Sequence, residues 1–198
     1  GLWLARRYRI PAVYTYHTRL EMYAHYVPLP GRLFRNIISH ELVRRFCNKC
    51  DGVVVPTVST EEYLRLIGVK VPLFVQPTGI DYQRFNRRDP GRVAALRQRW
   101  QVDKEQLSLI SVSRLGKEKN ITFLLEAMAR LRGQCPRGVR LFIVGEGNQR
   151  QQLEAQINDL QLSDCVTLVG PVAPEDIAYY YQMADIFVFA SKSETQGM

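Results

Sequence analysis

The strongest constraint on the fold is an alternation of two hydrophobic periods in the second half of the chain. LSLISV (107–112), RLFIV (140–144), CVTLV (165–169) and IFVFA (186–190) are short, apolar and partly β-branched, as buried strands are. Between them, ITFLLEAMARLR (121–132), QRQQLEAQINDL (149–160) and PEDIAYYYQMAD (174–185) have helical patterning, and Asn120 stands where the first would take a side-chain N-cap. Four strands and three helices in strict alternation predict an α/β fold with a parallel, Rossmann-like sheet.

The first 80 residues repeat the pattern more loosely. AVYTY (12–16), GVVVP (52–56) and PLFVQP (72–77) are strand-like, and 31–50 and 59–68 are helix candidates. Ser59 with Glu62 has capping-box spacing at the start of the second. PTGIDYQRFNRRDPG (77–91) is rich in turn formers and charge and reads as a linker. Two domains are therefore expected, 1–81 and 82–198. The chain begins without Met and stops at SETQGM with no closing element, so it reads as part of a longer protein with both domains incomplete.

Of the 198 residues, 46% are hydrophobic, enough for a folded core, and no apolar run approaches the roughly 20 residues of a membrane span. Positive charge is concentrated early: residues 1–50 hold nine Arg/Lys against two acids, residues 151–198 one against seven. Such a basic N-terminal portion suits an anionic partner surface, and a solvated basic face without a partner fits the same residues. In GRLFRNIISHELVRRFCNKC (31–50), Phe34, Ile38, Leu42 and Phe46 recur every four residues, while Arg32, Arg35, Arg44, Arg45 and Lys49 supply charge. The segment could lie on anionic lipid or pack on a core with a basic outer side. Cys47 and Cys50 form a lone CxxC without a second pair at zinc spacing, and with no secretory segment visible a reducing, cytoplasmic setting is expected.

In open parallel sheets, ligands sit beyond the carboxyl ends of the strands. The unusual residues of the second half fall there: SRLGKEKN after 107–112, GEGN after 140–144, GPVAPED after 165–169 and SKSETQGM after 186–190. Arg114 offers a planar fork for phosphate oxygens and Lys119 a movable point charge, both near a helix start. A solvated loop would carry the same charges. GEGN lacks the third glycine of a dinucleotide fingerprint, but Gly145 and Gly147 would admit a ligand close to the backbone, and a plain turn fits equally. Glu194 could accept hydrogen bonds from sugar hydroxyls, with the amides of Gly197 and Met198 donating to an anion. In the first half, His17 follows a strand directly, with Tyr16, Tyr23, His25 and Tyr26 around it in sequence. No His/Cys/Asp/Glu spacing suggests a metal.

SVSRLGKEKN resembles the GRL…EKG/N element of retaining glycosyltransferases of family 4, which have the two-domain GT-B fold. VVVPT…VQPTGID, FIVGEGNQRQQLE and VTLVGPVAPEDIAYYYQMADIFVFASKSETQGM match in the same order, so the resemblance spans essentially the whole chain. VYTYHT, PTGID and SETQG resemble the bacterial 1,2-diacylglycerol 3-glucosyltransferases. The resemblance implies a nucleotide-sugar donor such as UDP-glucose, no metal or other cofactor, a lipid acceptor, and attachment to the cytoplasmic face of a membrane. It implies that Arg114 and Lys119 bind the donor diphosphate, that Glu194 is the first Glu of an E-x₇-E motif contacting the hexose, and that Gly197 and Met198 supply amides. It further places His17 near the reacting sugar and Val169 and Pro171 at the nucleobase. The second Glu of that motif would lie beyond Met198 and the family's N-terminal donor-binding loop before residue 1, so the chain alone is expected to be inactive. Other acceptors, a non-catalytic nucleotide-sugar binder and a nucleic-acid-binding module are the competing expectations. Lys117 receives no role.

Overall fold

A computed structural model of the chain describes residues 1–19 and 32–196, the side chains of 32–35 excepted. Two compact units are present, unit 1 comprising Gly1–Ile80 with Ser193–Met198, and unit 2 Asp81–Lys192.

Unit 1 is built on a parallel three-stranded sheet of β1 (Val13–Thr15), β2 (Gly52–Val55) and β3 (Leu73–Val75), with β2 in the centre. Its helices are α1 (Leu2–Tyr8), α2 (Arg32–Cys47) and α3 (Val58–Leu66). Tyr16, Val43, Cys47, Val53, Val55, Leu64 and Val69 form the core. The expected capping box at Ser59 is displaced. The helix starts one residue earlier, at Val58, and Thr57 is its cap, accepting a 3.2 Å hydrogen bond from the Thr60 amide. Ser59 thus stands inside the first turn, and the capping position is held by Thr57.

Unit 2 opens with α4 (Tyr82–Asn86) and α5 (Pro90–Arg99), where a linker was expected. The turn formers prove to be caps: Asp81 accepts from the Arg84 amide and Asp89 from the Arg92 amide, with Pro90 in the first turn of α5. Then β4 (Leu107–Val112), β5 (Val139–Val144), β6 (Val166–Gly170) and β7 (Ile186–Phe187) form a parallel sheet in the order β6-β5-β4-β7. The parallel Rossmann-like architecture expected from the alternation is what is found. Helices α6 (Ile121–Leu131) and α7 (Arg150–Asp159) pack on one face through Leu109, Leu141 and Ile143. Helices α5 and α8 (Ile177–Met183) cover the other through Ile110, Phe142 and Val144. An ion pair and a hydrogen bond hold α5 to α8: Arg92 lies 3.0 Å from Asp176, the residue before α8, and Arg97 donates to the Met183 carbonyl.

Two further expectations are corrected here. β7 is two residues long rather than five, because only Ile186 and Phe187 pair with β4. Asn120 does precede α6, but its backbone is left-handed (φ 53°), and its side chain donates to the Ala190 carbonyl at 3.2 Å instead of capping the helix.

Candidate functional site

The sheet order places a switch point beside β4. From β4 the chain steps outward to β5 and β6, then returns to add β7 on the opposite side. At such a reversal the strand-end loops diverge and leave a crevice, where open α/β sheets take their ligands. The loop leaving β4 is Ser113–Asn120, and that leaving β7 begins at Val188.

Three-residue spacing shapes the first of these loops. Lys117–Lys119 forms a turn of 3₁₀ helix, with three residues per turn, so Leu115, Glu118 and Ile121 face inward and are buried. Arg114 and Lys117 face outward, and Lys119 is half-buried. Leu115 is sunk in the core, and its amide donates to the Glu146 carbonyl at 2.9 Å. Arg114 is thereby presented on the outer side of a fixed loop. Its Nη2 donates to Glu118 Oε1 at 2.6 Å, and its side chain remains 59% exposed against 1% for Glu118. Burial alone would raise the Glu118 pKa. The hydrogen bond from its own backbone amide, the Arg114 guanidinium and the nearby Lys119 outweigh it, and the carboxyl stays below its ordinary value. Lys119 Nζ lies 5.7 Å from the centre of the Phe189 ring, a cation–π distance.

The glycines of GEGN serve this loop directly. Gly145 (φ 132°) lies so near the Ser113 carbonyl that a Cβ would come 2.9 Å from its carbon, and a Cβ on Gly147 would sit 2.8 Å from the Leu115 backbone. The backbone of one strand-end loop thus rests on the other, which the absence of side chains permits. Val169 is half-buried near the end of β6, Pro171 is exposed after it, and the intervening Gly170 carbonyl accepts from the Gly145 amide at 2.8 Å. Arg114, Lys119, Gly145, Gly147, Val169 and Pro171 therefore all lie on the strand-end loops of unit 2 or the strand end itself.

His17 and Glu194 belong to unit 1. His17 is exposed just after β1, and its carbonyl accepts from Thr195 Oγ1 at 3.0 Å. The Thr195 carbonyl in turn accepts from Thr57 Oγ1 (3.0 Å) and Thr60 Oγ1 (3.3 Å), while the Gln196 side chain brackets Thr78, accepting from its amide at 2.9 Å and donating to its carbonyl. Glu194 is exposed and borders a cavity of about 240 Å³ with Arg19, Thr57, Thr60 and Tyr63. Gly197 and Met198, like Tyr23, His25 and Tyr26, lie outside the described residues. Sequence reasoning missed Glu118 as a participant. Its spacing of three from both Leu115 and Ile121 is the signal that would have marked it as inward-facing.

On α2, Val43 and Cys47 face the core, while Ile37, Leu42 and Phe46 are exposed. Arg44 and Arg45 both pair with Glu41, and Arg45 and Lys49 are exposed. Arg32 and Arg35 lie on or beside the same helix in residues whose side chains are not described. All four cysteines are unbridged. Among the described residues, no group of three or more His, Cys, Asp or Glu side chains could hold a metal ion, and no helix is long and apolar enough to cross a membrane.

Residues 93–198 match the family model described as Glycosyl transferases group 1, and residues 1–84 that of Glycosyltransferase Family 4. The whole chain is 37% identical to an alpha-monoglucosyldiacylglycerol synthase of Streptococcus pneumoniae, of which it covers 45%, and 30% identical to one of Acholeplasma laidlawii, of which it covers 51%. It thus spans about half the length of these relatives. Among solved structures, a sucrose-phosphate synthase from Thermosynechococcus elongatus matches all of the chain over 49% of its own, with a TM-score of 0.77 at 24% identity, a likeness of fold. The chain belongs to the group 1 glycosyl transferases, with the family 4 region before it, and its parallel α/β architecture corresponds to about half of a GT-B glycosyltransferase.

Proposed function

We propose that the protein transfers a hexose, glucose from UDP-glucose, with retention of configuration to a lipid acceptor such as 1,2-diacylglycerol in membrane glycolipid synthesis. The observation that carries this reading is the pair Arg114 and Lys119 on the loop at the switch point, in a chain 37% identical along its whole length to a protein named as a glucosyldiacylglycerol synthase. Residues 82–198 are assigned to donor binding and 1–81 to the acceptor side. The bond from the anomeric carbon to the UDP oxygen breaks, its electron pair leaving with the diphosphate, while the acceptor hydroxyl forms the new bond on the same face and gives its proton to the departing phosphate oxygen. Arg114 and Lys119 oppose the charge that grows on the departing phosphate, an interaction stronger in the transition state than in the ground state. Glu194 is assigned to the hexose hydroxyls, with the amides of Gly197 and Met198, His17 to the reacting sugar, and Val169 and Pro171 to the nucleobase.

The exposed Ile37, Leu42 and Phe46, with Arg45 and Lys49 beside them, support docking of α2 on anionic lipid at the cytoplasmic face of a membrane. One experiment addresses all three elements: the intact protein is incubated with UDP-glucose and diacylglycerol in neutral or anionic vesicles, and products are identified by mass spectrometry. A glucosyldiacylglycerol is expected. Arg114→Ala and Lys119→Ala should each lower kcat by about 10²–10³-fold, as loss of one such donor does elsewhere. Unchanged turnover in both variants defeats the site assignment, and glucose transfer only to a soluble acceptor defeats the lipid assignment. Equal binding to neutral and anionic vesicles defeats docking by charge.

A further inference from the structure

Glu118 is out of place by ordinary rules: a carboxylate with 1% of its side chain exposed, in a loop whose neighbours Lys117 and Lys119 are cations. Carboxylates are seldom buried unless paired and hydrogen-bonded. Here the sequence makes room for one. Gly116 has no side chain, and a Cβ there would fall 2.6 Å from Glu118 Oε2, so any other residue would drive the carboxylate out of its place.

Two loops meet on this residue. Its side chain takes the 2.6 Å hydrogen bond from Arg114 Nη2. Its backbone carbonyl accepts from Ser191 Oγ at 3.3 Å and from the Lys192 amide at 3.4 Å, on the segment that leaves β7. Both walls of the switch-point crevice are thereby tied to Glu118, and one edge of the Arg114 fork is held while the guanidinium stays mostly exposed.

We propose that Glu118 is a positioning residue: through its buried carboxylate it fixes the Arg114 guanidinium in the orientation that receives the diphosphate of the donor. The proposal rests on the assignment of Arg114 to that diphosphate. A long side chain free to rotate loses rotamer entropy when a ligand immobilises it. Held beforehand by Glu118, Arg114 meets the phosphate with much of that cost already met by folding, and preorganised donors are the ones that stabilise developing charge. The carboxylate would also repel a nearby diphosphate, so the sign of its effect on binding discriminates between support and competition.

The test is a double-mutant cycle on UDP affinity, measured by calorimetry on the full-length protein, with donor KM and kcat determined separately where turnover is present. Glu118→Gln is expected to weaken UDP about tenfold when Arg114 is present and less than twofold in an Arg114→Ala background, with acceptor KM unmoved. Equal weakening in both backgrounds, or tighter UDP binding with undiminished kcat, overturns the proposal: the first makes Glu118 a general loop support, the second a competitor for the Arg114 charge. If Glu118→Gln does not fold, as judged by its thermal melt, Gly116→Ala displaces the carboxylate without removing it, and the same background dependence is required of it. Arg114→Ala without effect on UDP affinity instead refutes the diphosphate assignment itself. Because UDP binding is read apart from transfer, failure to find a lipid product leaves this result intact.

Discussion

In unit 2, β5 buries five of its six residues and β4 four consecutive ones, whereas in unit 1 β3 buries none and β1 only part of its middle residue. The difference follows from what covers each sheet. Helices lie on both faces of the four-stranded sheet, so its central strands are apolar along their whole length. In the three-stranded sheet only the central β2 is enclosed to a similar degree, and edge residues such as Val13 and Phe74 are 62% and 54% exposed. Side chains of the same chemistry therefore carry very different weight in the two units.

The sharpest way to break that comparison is to truncate one phenylalanine in each. Phe142 is fully buried between Arg140 and Trp100, and Phe142→Ala should cost unit 2 about 3–5 kcal/mol in denaturant titration. Phe74→Ala should cost unit 1 less than about 1 kcal/mol. Similar losses would show that the exposed sheet is covered in solution.

Glycines offer a second, smaller contrast. Gly147→Ala puts a methyl against the Leu115 backbone and should destabilise unit 2 by about 1–3 kcal/mol while disturbing the Arg114 loop, which on the proposed donor assignment weakens UDP binding. At Gly79, in unit 1, a Cβ meets nothing within 4 Å, and Gly79→Ala should stay within about 0.5 kcal/mol of the parent in the same melts.

The smallest effects come from pH, which probes the two units from opposite ends. Hydrogen bonds from the Ser108 hydroxyl and amide hold the Asp185 carboxyl of unit 2 below its ordinary value. The stability this lends is present above about pH 3.9 and is lost as pH falls through the folded value. In unit 1, burial, with Cys50 nearby, pushes the Cys47 thiol up to about 11. Its contribution is whole below the ordinary thiol value near 8.5 and is lost as pH rises toward 11. Asp185→Asn should flatten only the acid limb of the stability–pH curve, and Cys47→Ala only the alkaline limb. A change in the alkaline limb for Asp185→Asn, or in the acid limb for Cys47→Ala, would overturn these assignments.

What the sequence disclosed follows the same division. β4 was expected at 107–112 and is found at Leu107–Val112, because burial on both faces makes the apolar run end where the strand does. The two-residue β7 fooled the same reasoning: the Val188 amide makes the final hydrogen bond to β4, at the Ile110 carbonyl, yet Phe189 and Ala190 remain apolar beyond it. Asp81 and Asp89–Pro90 read as linker, although a cap followed by proline is also how a helix begins. That Arg114 and Lys119 stand on a strand-end loop was legible, because the apolar run before them ends where β4 does. Their support was not. A buried Glu118 between two lysines looks like solvated charge until the 3₁₀ turn is known, and the contact of Thr57 with Thr195 links positions 138 residues apart.

That last contact bears on the order in which the protein can fold as it is made. The sheet of unit 1 is synthesised before the contiguous stretch Asp81–Lys192 that forms unit 2. The Thr195 and Gln196 contacts that brace Thr57, Thr60 and Thr78 arrive only after that stretch has been translated. The brace on the short, half-covered strands of unit 1 is thus delivered from the far side of its neighbour in the chain.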